Sequence, residues 1–371
     1  MKNTIYTIAL GCLIMVSCKK DTKDPEPTPT NPTPSPSYTV PSAYTFSNVS
    51  YTGQLQRMEM LTELKSYMNT GNTANTVLSA QSMKDMYQNV NNPFSGSGLN
   101  ASGKDIKSKV FSLDQTLFEM FMDSLAIASQ ATVSGTNGQA GVVVSTSNPA
   151  KKYLCDKNGV EWTQVIEKGL MGALLYYQTT AVYLDDAKIG NSVDNSSVTP
   201  GQGTAMEHHW DEAFGYFGVP TSFPTTTTGL VFWGKYCNDR NAVIGSNSQI
   251  MNAFLKGRAA ISNQDYTERD AQRVIIRDTW EKVIAATIIS YVNSTKSNLT
   301  DDAIRNHNCS EIKGFLMNLK YNPTKKITTS QLTQLEGYLG TNFYNITSGN
   351  LDNIKNELST IYGLDDVKNN L

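Results

Sequence analysis

Apolar residues recur at steps of three and four along most of the chain, and this spacing constrains the fold more than any other feature. Such steps place side chains on one stripe of an α-helix, and that stripe must be buried against other helices. The segments that carry the spacing are 54–68, 74–90, 106–128, 161–186, 248–260, 268–293, 300–319, 329–339 and 351–362. Alternating strand patterns are scarce. We therefore predict an all-α protein made of helical bundles.

Two segments refine this prediction. The stripe in residues 106–128 includes Leu113, Leu117 and Phe121, and we expect these side chains to be buried. Residues 141–147, GVVVSTS, are the best strand candidate, yet they lie in a stretch rich in glycine, serine and asparagine. We interpret that stretch as a loop, with a short hairpin as the alternative.

The first residues predict an export signal that is removed rather than part of the fold. Lys2 precedes an apolar run, residues 5–16, which is too short for a permanent membrane span. The run ends at Ser17 and Cys18, which fit a bacterial lipobox, so we expect residues 1–17 to be cleaved and the Cys18 thiol to carry lipid. The alternative is an uncleaved amphipathic N-terminus with an incidental cysteine.

The segment after Cys18, residues 18–39, predicts a stalk between the lipid and the folded body. Its prolines alternate with threonine and serine, a composition that favours extended polyproline II and builds no core. At about 3.1 Å per residue, residues 25–37 span roughly 40 Å. CKKD at 18–21 followed by this stalk resembles surface lipoproteins of Gram-negative bacteria. The resemblance implies attachment to the outer membrane, with the body facing either the periplasm or the outside.

The body is long enough for one large domain or two smaller ones. We expect an N-terminal helical half, residues 40–203, and a C-terminal half, residues 204–371. Charged residues make up only 17% of the chain and the formal net charge is −2, so nucleic acid is not an expected partner. The remaining cysteines follow neither a metal-binding spacing nor an even disulfide framework, and we expect them to be buried thiols, with one disulfide plus a free thiol as the alternative.

Two of the three histidines stand side by side in an acidic segment, TAMEHHWDEAFGYFGVP, residues 204–220. Turn-rich stretches at 190–203 and 219–229 enclose it, which predicts a short helix at the junction of the two halves. Residues three and four apart share a helix face, so we expect His209 beside Glu212.

By the same spacing His208 lies beside Asp211 and Glu212, and Glu207 lies beside Asp211. An imidazole nitrogen and a carboxylate oxygen on one face suit a transition metal, and they also suit acid–base chemistry. Two ligands do not complete a metal site, and the His-Glu-x-x-His pattern of metallopeptidases is absent. The alternative is a polar network between helices that binds no ligand.

Four segments carry a family resemblance: YTFSNVSYTGQLQRMEMLTELKSYM at 44–68, EKGLMGALLYYQ at 167–178, EHHWDEAFGYFGVP at 207–220 and FWGKYCNDRNAVIGSNSQIMNAFLKGRAAI at 232–261. With these segments the chain resembles a family of uncharacterised bacterial lipoproteins related to the imelysin-like proteins. The resemblance covers nearly the whole mature chain.

The resemblance implies a helical protein with two bundle-like halves and a cleft between them. Imelysin-like proteins carry a Gly-x-His-x-x-Glu motif near the junction, which His209 and Glu212 match here, while Glu207 stands at the glycine position. The resemblance also implies a role in the cell envelope linked to iron. The wider group has been classed as metallopeptidases, but these residues assemble no site for an activated water.

The leading hypothesis is a lipid-anchored binding protein that holds iron, zinc or a metal-bearing ligand at this cleft. In it His209 and Glu212 contact the ligand, with His208, Asp211 and Glu207 around them. Arg57 and Arg258 are further candidates for the cleft, although a surface charge or a structural ion pair is the favoured explanation for each of them.

Two other functions stay open. One is a metal-dependent hydrolase or peptidase that uses the histidine–glutamate pair. The other is a helical surface lipoprotein that binds a glycan or a protein through its aromatic side chains, with the motif purely structural. The membrane, through the lipid on Cys18, is the partner that the sequence itself predicts.

Overall fold

The structure, a computed structural model, describes residues 37–96 and 98–371. The predicted export signal, Cys18 and the predicted stalk up to residue 36 lie outside the described residues. Residues 38–371 form one compact unit. No helix in the described ranges has the length and the apolar character that a membrane crossing needs.

Helices dominate the described residues, as the apolar spacing predicts, and the all-α prediction is confirmed. The helices are α1 (Thr52–Asn69), α2 (Ala80–Gln88), α3 (Gln115–Ala128), α4 (Trp162–Leu170), α5 (Asp186–Ile189), α6 (Ala205–Gly215), α7 (Phe232–Ile244), α8 (Ser246–Ser262), α9 (Tyr266–Ser297), α10 (Asp302–Asn318), α11 (Thr329–Leu339) and α12 (Ser348–Tyr362). The strands β1 (Gly141–Val144) and β2 (Lys152–Cys155) pair antiparallel, with Val142 opposite Leu154. Strand β1 lies in the predicted loop, residues 133–149, whereas its partner β2 begins after that loop, at Lys152.

The expectation of burial is wrong for Leu113, which is 81% exposed. Residues Ser112–Asp114 form a separate 3₁₀ turn, and α3 begins only at Gln115. A 3₁₀ turn has three residues per turn rather than 3.6, so the stripe of α3 does not extend back to Leu113. The buried face of α3 is made instead by Phe118, Met122 and Leu125.

After Leu170 the chain continues from α4 in wider π-helical turns, Met171–Tyr176 and Gln178–Tyr183. π-Helical turns are rare and occur most often at functional sites. The indole Nε1 of Trp233 donates a hydrogen bond to the carbonyl oxygen of Met171, at 2.8 Å. The π-helical turns end at Tyr183, whose side chain lines a polar pocket together with His208 and Glu212.

Tryptophan side chains at the centre of the body join helices from both predicted halves. Trp280 on α9 packs against Tyr176, with 5.6 Å between ring centroids, and against Phe217, at 5.0 Å. One continuous cluster of buried apolar side chains draws members from residues before and after position 204. The two predicted halves therefore share a core, and the division between residues 203 and 204 stays a prediction.

Candidate functional site

Helix α6 carries the paired histidines and begins with a capping box. The Thr204 hydroxyl accepts a hydrogen bond from the Glu207 amide, and the Glu207 carboxylate accepts one from the Thr204 amide. Such a box satisfies two amides at a helix start, which explains why the helix begins here. After α6 the chain turns at Gly218, whose φ of +79° suits glycine.

One face of α6 is sealed into a network of charged groups. Asp211 accepts hydrogen bonds from Arg258 Nε at 2.8 Å and from the Tyr44 hydroxyl at 2.7 Å. Arg258 also donates to Glu207, at 2.6 Å. Asp211 and Arg258 are buried, and the Tyr44 ring stacks on Phe214 with 3.8 Å between centroids. These residues join the start of the body to α6 and α8 rather than facing a pocket.

Burial is the largest influence on the carboxyl of Asp211 and raises its pKa to about 7, although Arg258 and Tyr44 oppose the shift. Burial also opposes ionisation of Glu207, but the hydrogen bonds from Thr204 and Ser262 outweigh it and lower the pKa of Glu207. Glu207, which stands where the imelysin motif has glycine, therefore serves as an ionised cap and ion-pair partner.

The side chain of His209 lies on a different face of α6 from Asp211 and Glu207. Its Nδ1 lies 2.7 Å from the carbonyl oxygen of Lys188, next to α5. Burial lowers the pKa of His209, which favours a neutral ring that donates its Nδ1 proton to that carbonyl. The structure therefore does not bring the imidazole of His209 to a carboxylate, although the helical spacing places it beside Glu212.

The third face of α6 presents His208 and Glu212. The Glu212 carboxylate lies 3.9 Å from His208 Nε2 and accepts hydrogen bonds from Gln54 Nε2 at 2.8 Å and from the Tyr183 hydroxyl at 3.1 Å. His208 Nδ1 is buried and has no hydrogen-bond partner. Of the two histidines, His208 is thus the one beside Glu212.

His208 and Glu212 line a pocket of about 330 Å³ together with three cationic side chains. These are Arg57, Lys104 and Lys109, and we call the cavity the Arg57 pocket. Arg57 is buried and donates to two backbone carbonyls, from Nε to Asp105 at 2.8 Å and from Nη1 to Gly53 at 3.1 Å.

The Arg57 pocket has an excess of positive charge. Within the part of the chain that the structure describes, none of its three cations forms an ion pair with a carboxylate. Burial and then the neighbouring Arg57 lower the pKa of Lys109, although Glu212 opposes the shift. The pocket therefore contains one carboxylate and three cationic side chains, an arrangement that favours an anionic ligand.

Among the residues described, no group of three or more histidine, cysteine, aspartate or glutamate side chains is placed to hold a metal ion. His208 and Glu212 are the two such groups in the Arg57 pocket, while Asp211 and Glu207 turn toward Arg258. Of the two predicted cleft arginines, Arg57 lies beside His208 and Glu212, and Arg258 lies in the sealed network.

Lys104, Lys109, Gln54 and Tyr183 also line this pocket, and the sequence pattern did not identify them. Lys104 precedes the predicted stripe at 106–128, and Lys109 lies in a 3₁₀ turn, Lys107–Lys109, whose residues do not follow the 3.6-residue period of that stripe. Gln54 and Arg57 are both buried on α1. Their three-residue spacing, which places two polar residues on one helix face, was the feature of the sequence that could have pointed to this pocket.

Cys155, Cys237 and Cys309 are buried free thiols, as expected from their irregular spacing. Burial raises the pKa of Cys237 and of Cys309 to about 12, so neither thiol ionises near neutral pH. They therefore act as core side chains rather than as nucleophiles or ligands.

Comparison with known proteins gives a family and no described relative. No curated protein and no solved structure matches the chain. Residues 41–365 match the family model described as Domain of unknown function (DUF4856). The match includes α1 to α12 and with them every residue of the Arg57 pocket, so the chain belongs to the DUF4856 family.

Proposed function

We propose that this chain is a lipid-anchored binding protein of the bacterial cell envelope, which takes an anionic, metal-bearing ligand in the Arg57 pocket. The observation that carries the proposal is the grouping of Arg57, Lys104 and Lys109 without a carboxylate partner among the described residues. Arg57 is buried and Lys109 is half-buried, and cations removed from water need compensation, which a bound carboxylate or phosphate supplies. The exposed Lys104 adds positive charge at the pocket.

The pocket also suits the neutral groups of such a ligand. The Glu212 carboxylate lines the pocket and is available for a ligand hydroxyl. A volume of about 330 Å³ falls in the range of roughly 300–1,000 Å³ that small-molecule sites occupy. A hydroxycarboxylate therefore fits both the charge and the hydrogen-bonding groups of the pocket.

The metal in this proposal is cargo that arrives inside its chelator. His208 and Glu212 offer one nitrogen and one carboxylate, which is fewer protein ligands than a metal site ordinarily uses. An anionic chelate brings its own oxygen ligands, which suit hard metal ions. The protein then needs only to recognise the negative charge of the chelate.

Two sequence features support the envelope part of the proposal. The lipobox at Cys18 and the proline-rich stalk predict a tether, and the body follows directly after them. The relation to the imelysin-like proteins belongs to the same proposal, because His209 and Glu212 match the spacing of their motif. In this chain His209 orients α6 against Lys188, and His208 takes the place beside the ligand.

Isothermal titration of the full-length chain with citrate, ferric citrate and zinc chloride tests the proposal. We expect saturable binding of ferric citrate near one equivalent, weaker binding of citrate and no binding of zinc chloride. Binding of zinc alone would replace the anion-binding proposal with a direct metal site. Absence of binding for both citrate species would reject the anion pocket.

A further inference from the structure

A second polar cluster lies apart from helix α6. Six side chains of alternating charge follow one another from the surface into the core, and we call them the charge ladder: Lys65, Glu167, Lys168, Glu311, His307 and Glu161. Successive nitrogen–oxygen distances are 2.7, 3.1, 3.8, 3.3 and 2.6 Å. The ladder joins α1, α4 with its preceding residue, and α10, and its ionised form has no net charge.

The ladder is buried except at its Lys65 end. Glu161 and Glu311 are buried on either side of the half-buried His307 ring, and Lys168 is buried between Glu311 and Glu167. Burial opposes the charge on His307, but Glu161 and Glu311 outweigh it and raise the pKa of His307 to about 10. Buried ion pairs seldom stabilise a fold more than apolar side chains of the same size, so the ladder calls for a further explanation.

The ladder forms part of the lining of a pocket of about 440 Å³. Lys65, Glu167, Lys168, His307 and Glu311 line it. This polar part of the pocket offers carboxylate acceptors and ammonium donors in alternation.

The lining also contains an unsatisfied group and apolar side chains. Gln164 is 94% buried, and its Nε2 donates to Glu161 at 3.2 Å, while its Oε1 has no hydrogen-bond partner among the residues that the structure describes. Leu230, Phe232 and the Tyr236 ring line the same pocket. The cavity is therefore amphipathic, with an unpaired acceptor among its polar groups.

Phe232 adopts an unusual backbone conformation at this pocket. Its φ is +46°, in the left-handed region that bulky residues avoid. Such a conformation costs on the order of 1–3 kcal/mol and persists where surrounding structure or function requires it. Glycine would adopt this φ without strain, so the presence of phenylalanine at this position indicates that its phenyl ring has a role at the pocket.

We propose that this second pocket binds a pyranose unit of a neutral saccharide. Each sugar hydroxyl both donates and accepts a hydrogen bond, which matches alternating ammonium and carboxylate groups. The carbon-bound hydrogens of a pyranose form an apolar face, which matches Phe232, Leu230 and Tyr236. Each ladder charge in the lining pairs with an opposite charge of the ladder, and Lys235, which also lines the pocket, pairs with Asp239, so the charged side chains already have partners, which favours a neutral ligand. This site is separate from the Arg57 pocket, and the inference does not rest on the proposed function.

Saturation-transfer NMR on the full-length chain tests the site with methyl α-D-glucopyranoside, methyl α-D-galactopyranoside and N-acetyl-D-glucosamine. We expect saturable binding of at least one of these sugars at millimolar concentration. Phe232→Gly removes the ring and suits the positive φ, so the variant folds, and we expect its affinity to fall by about tenfold or more. Tyr236→Phe removes only a hydroxyl and tests the polar part of the site.

Gln264→Gly is the matched control, because Gln264 also has a positive φ, of +56°, at an exposed position that does not line the pocket. We expect it to bind sugar as the natural chain does. Absence of binding for all three sugars would overturn the proposal. Equal sugar affinity of the Phe232→Gly chain and the natural chain would overturn it as well. So would competition in which citrate or spermidine binds in this pocket and displaces the sugar, because the pocket would then prefer a charged ligand.

Discussion

Asp211 Oδ1 lies 2.8 Å from Nε of Arg258, and both side chains are buried. This contact ties α6 to α8 through one face of α6 and leaves His208 and Glu212 on another. The charged residues of α6 therefore divide between a structural role and the ligand-binding role proposed for the Arg57 pocket.

Replacing Arg258 by methionine tests the structural role. Arg258→Met leaves the buried Asp211 carboxylate without its partner, and we expect the free energy of unfolding to fall by about 3–5 kcal/mol. Urea denaturation followed by circular dichroism measures the change. Arg273→Met is the control: Arg273 pairs with Asp186 and Asp270, whose side chains both reach solvent, and its loss is expected to cost about 1 kcal/mol or less. Equal stability of the two variants would contradict the structural role.

The contact between α6 and α8 also predicts the effect of adding one methyl group. A Cβ on Gly257 would lie 2.0 Å from Cζ2 of the buried Trp210, so Gly257→Ala is expected to destabilise the fold by about 1–3 kcal/mol. Gly337→Ala on α11 meets no atom within 4 Å and is expected to stabilise its helix by about 1 kcal/mol. Thermal melting of the two variants should shift in opposite directions, and a shared direction would contradict the packing described here.

The charge ladder predicts a pH dependence of stability. His307 has its pKa raised from 6.5 to about 10, so the native state holds its proton more tightly than the unfolded state does. Its contribution is complete below pH 6.5 and is lost as the pH rises toward 10. Glu311 has its pKa lowered from 4.5 to about 2, so its contribution is complete above pH 4.5 and is lost as the pH falls toward 2.

Urea denaturation between pH 5 and pH 10 checks this expectation, with His307→Gln as the comparison chain. Each unit of pKa difference corresponds to about 1.4 kcal/mol. We expect the free energy of unfolding of the natural chain to fall more steeply above pH 6.5 than that of the variant. Parallel curves for the two chains would show that His307 is not the titrating group.

The lipid anchor proposed at Cys18, which lies outside the described residues, gives a further prediction. Cys18→Ser removes the thiol that would carry the lipid, so we expect the chain to move from the membrane fraction to the soluble fraction. Cys155→Ser, which alters a buried thiol of the body, is the control and should leave the chain in the membrane fraction. A Cys18→Ser chain that stays with the membrane would contradict the anchor.

The sequence predicts the helices well and the pockets only in part. A long stripe of apolar residues predicts burial directly when one helical period holds throughout the segment. Segment 268–293 is an example, and the structure places it inside α9. The spacing predicts one helical stripe over 106–128, but the chain forms separate 3₁₀ turns before α3 begins, so Leu113 was misplaced. The sequence pattern also gave no sign that Lys104 and Lys109 line the Arg57 pocket.

The local acidic–histidine pattern has a different limit. Successive helix residues turn by about 100°, so neighbouring polar side chains point in several directions and spacing alone does not select among them. The direction of each side chain is decided by partners far along the chain, since Asp211 binds Arg258 and His209 binds the carbonyl oxygen of Lys188. The charge ladder escaped for the same reason, because its residues come from α1, α4 and α10.

The most direct measurement of the central claim compares the affinity of ferric citrate for the natural chain, the Lys109→Gln variant and the Lys256→Gln variant, at low and at high salt. Lys109 lines the Arg57 pocket, whereas Lys256 is exposed on α8 outside it. We expect Lys109→Gln to weaken binding by about tenfold and Lys256→Gln to leave it unchanged, with the difference shrinking at high salt. Equal affinity of all three chains would contradict an anion-binding function of the Arg57 pocket.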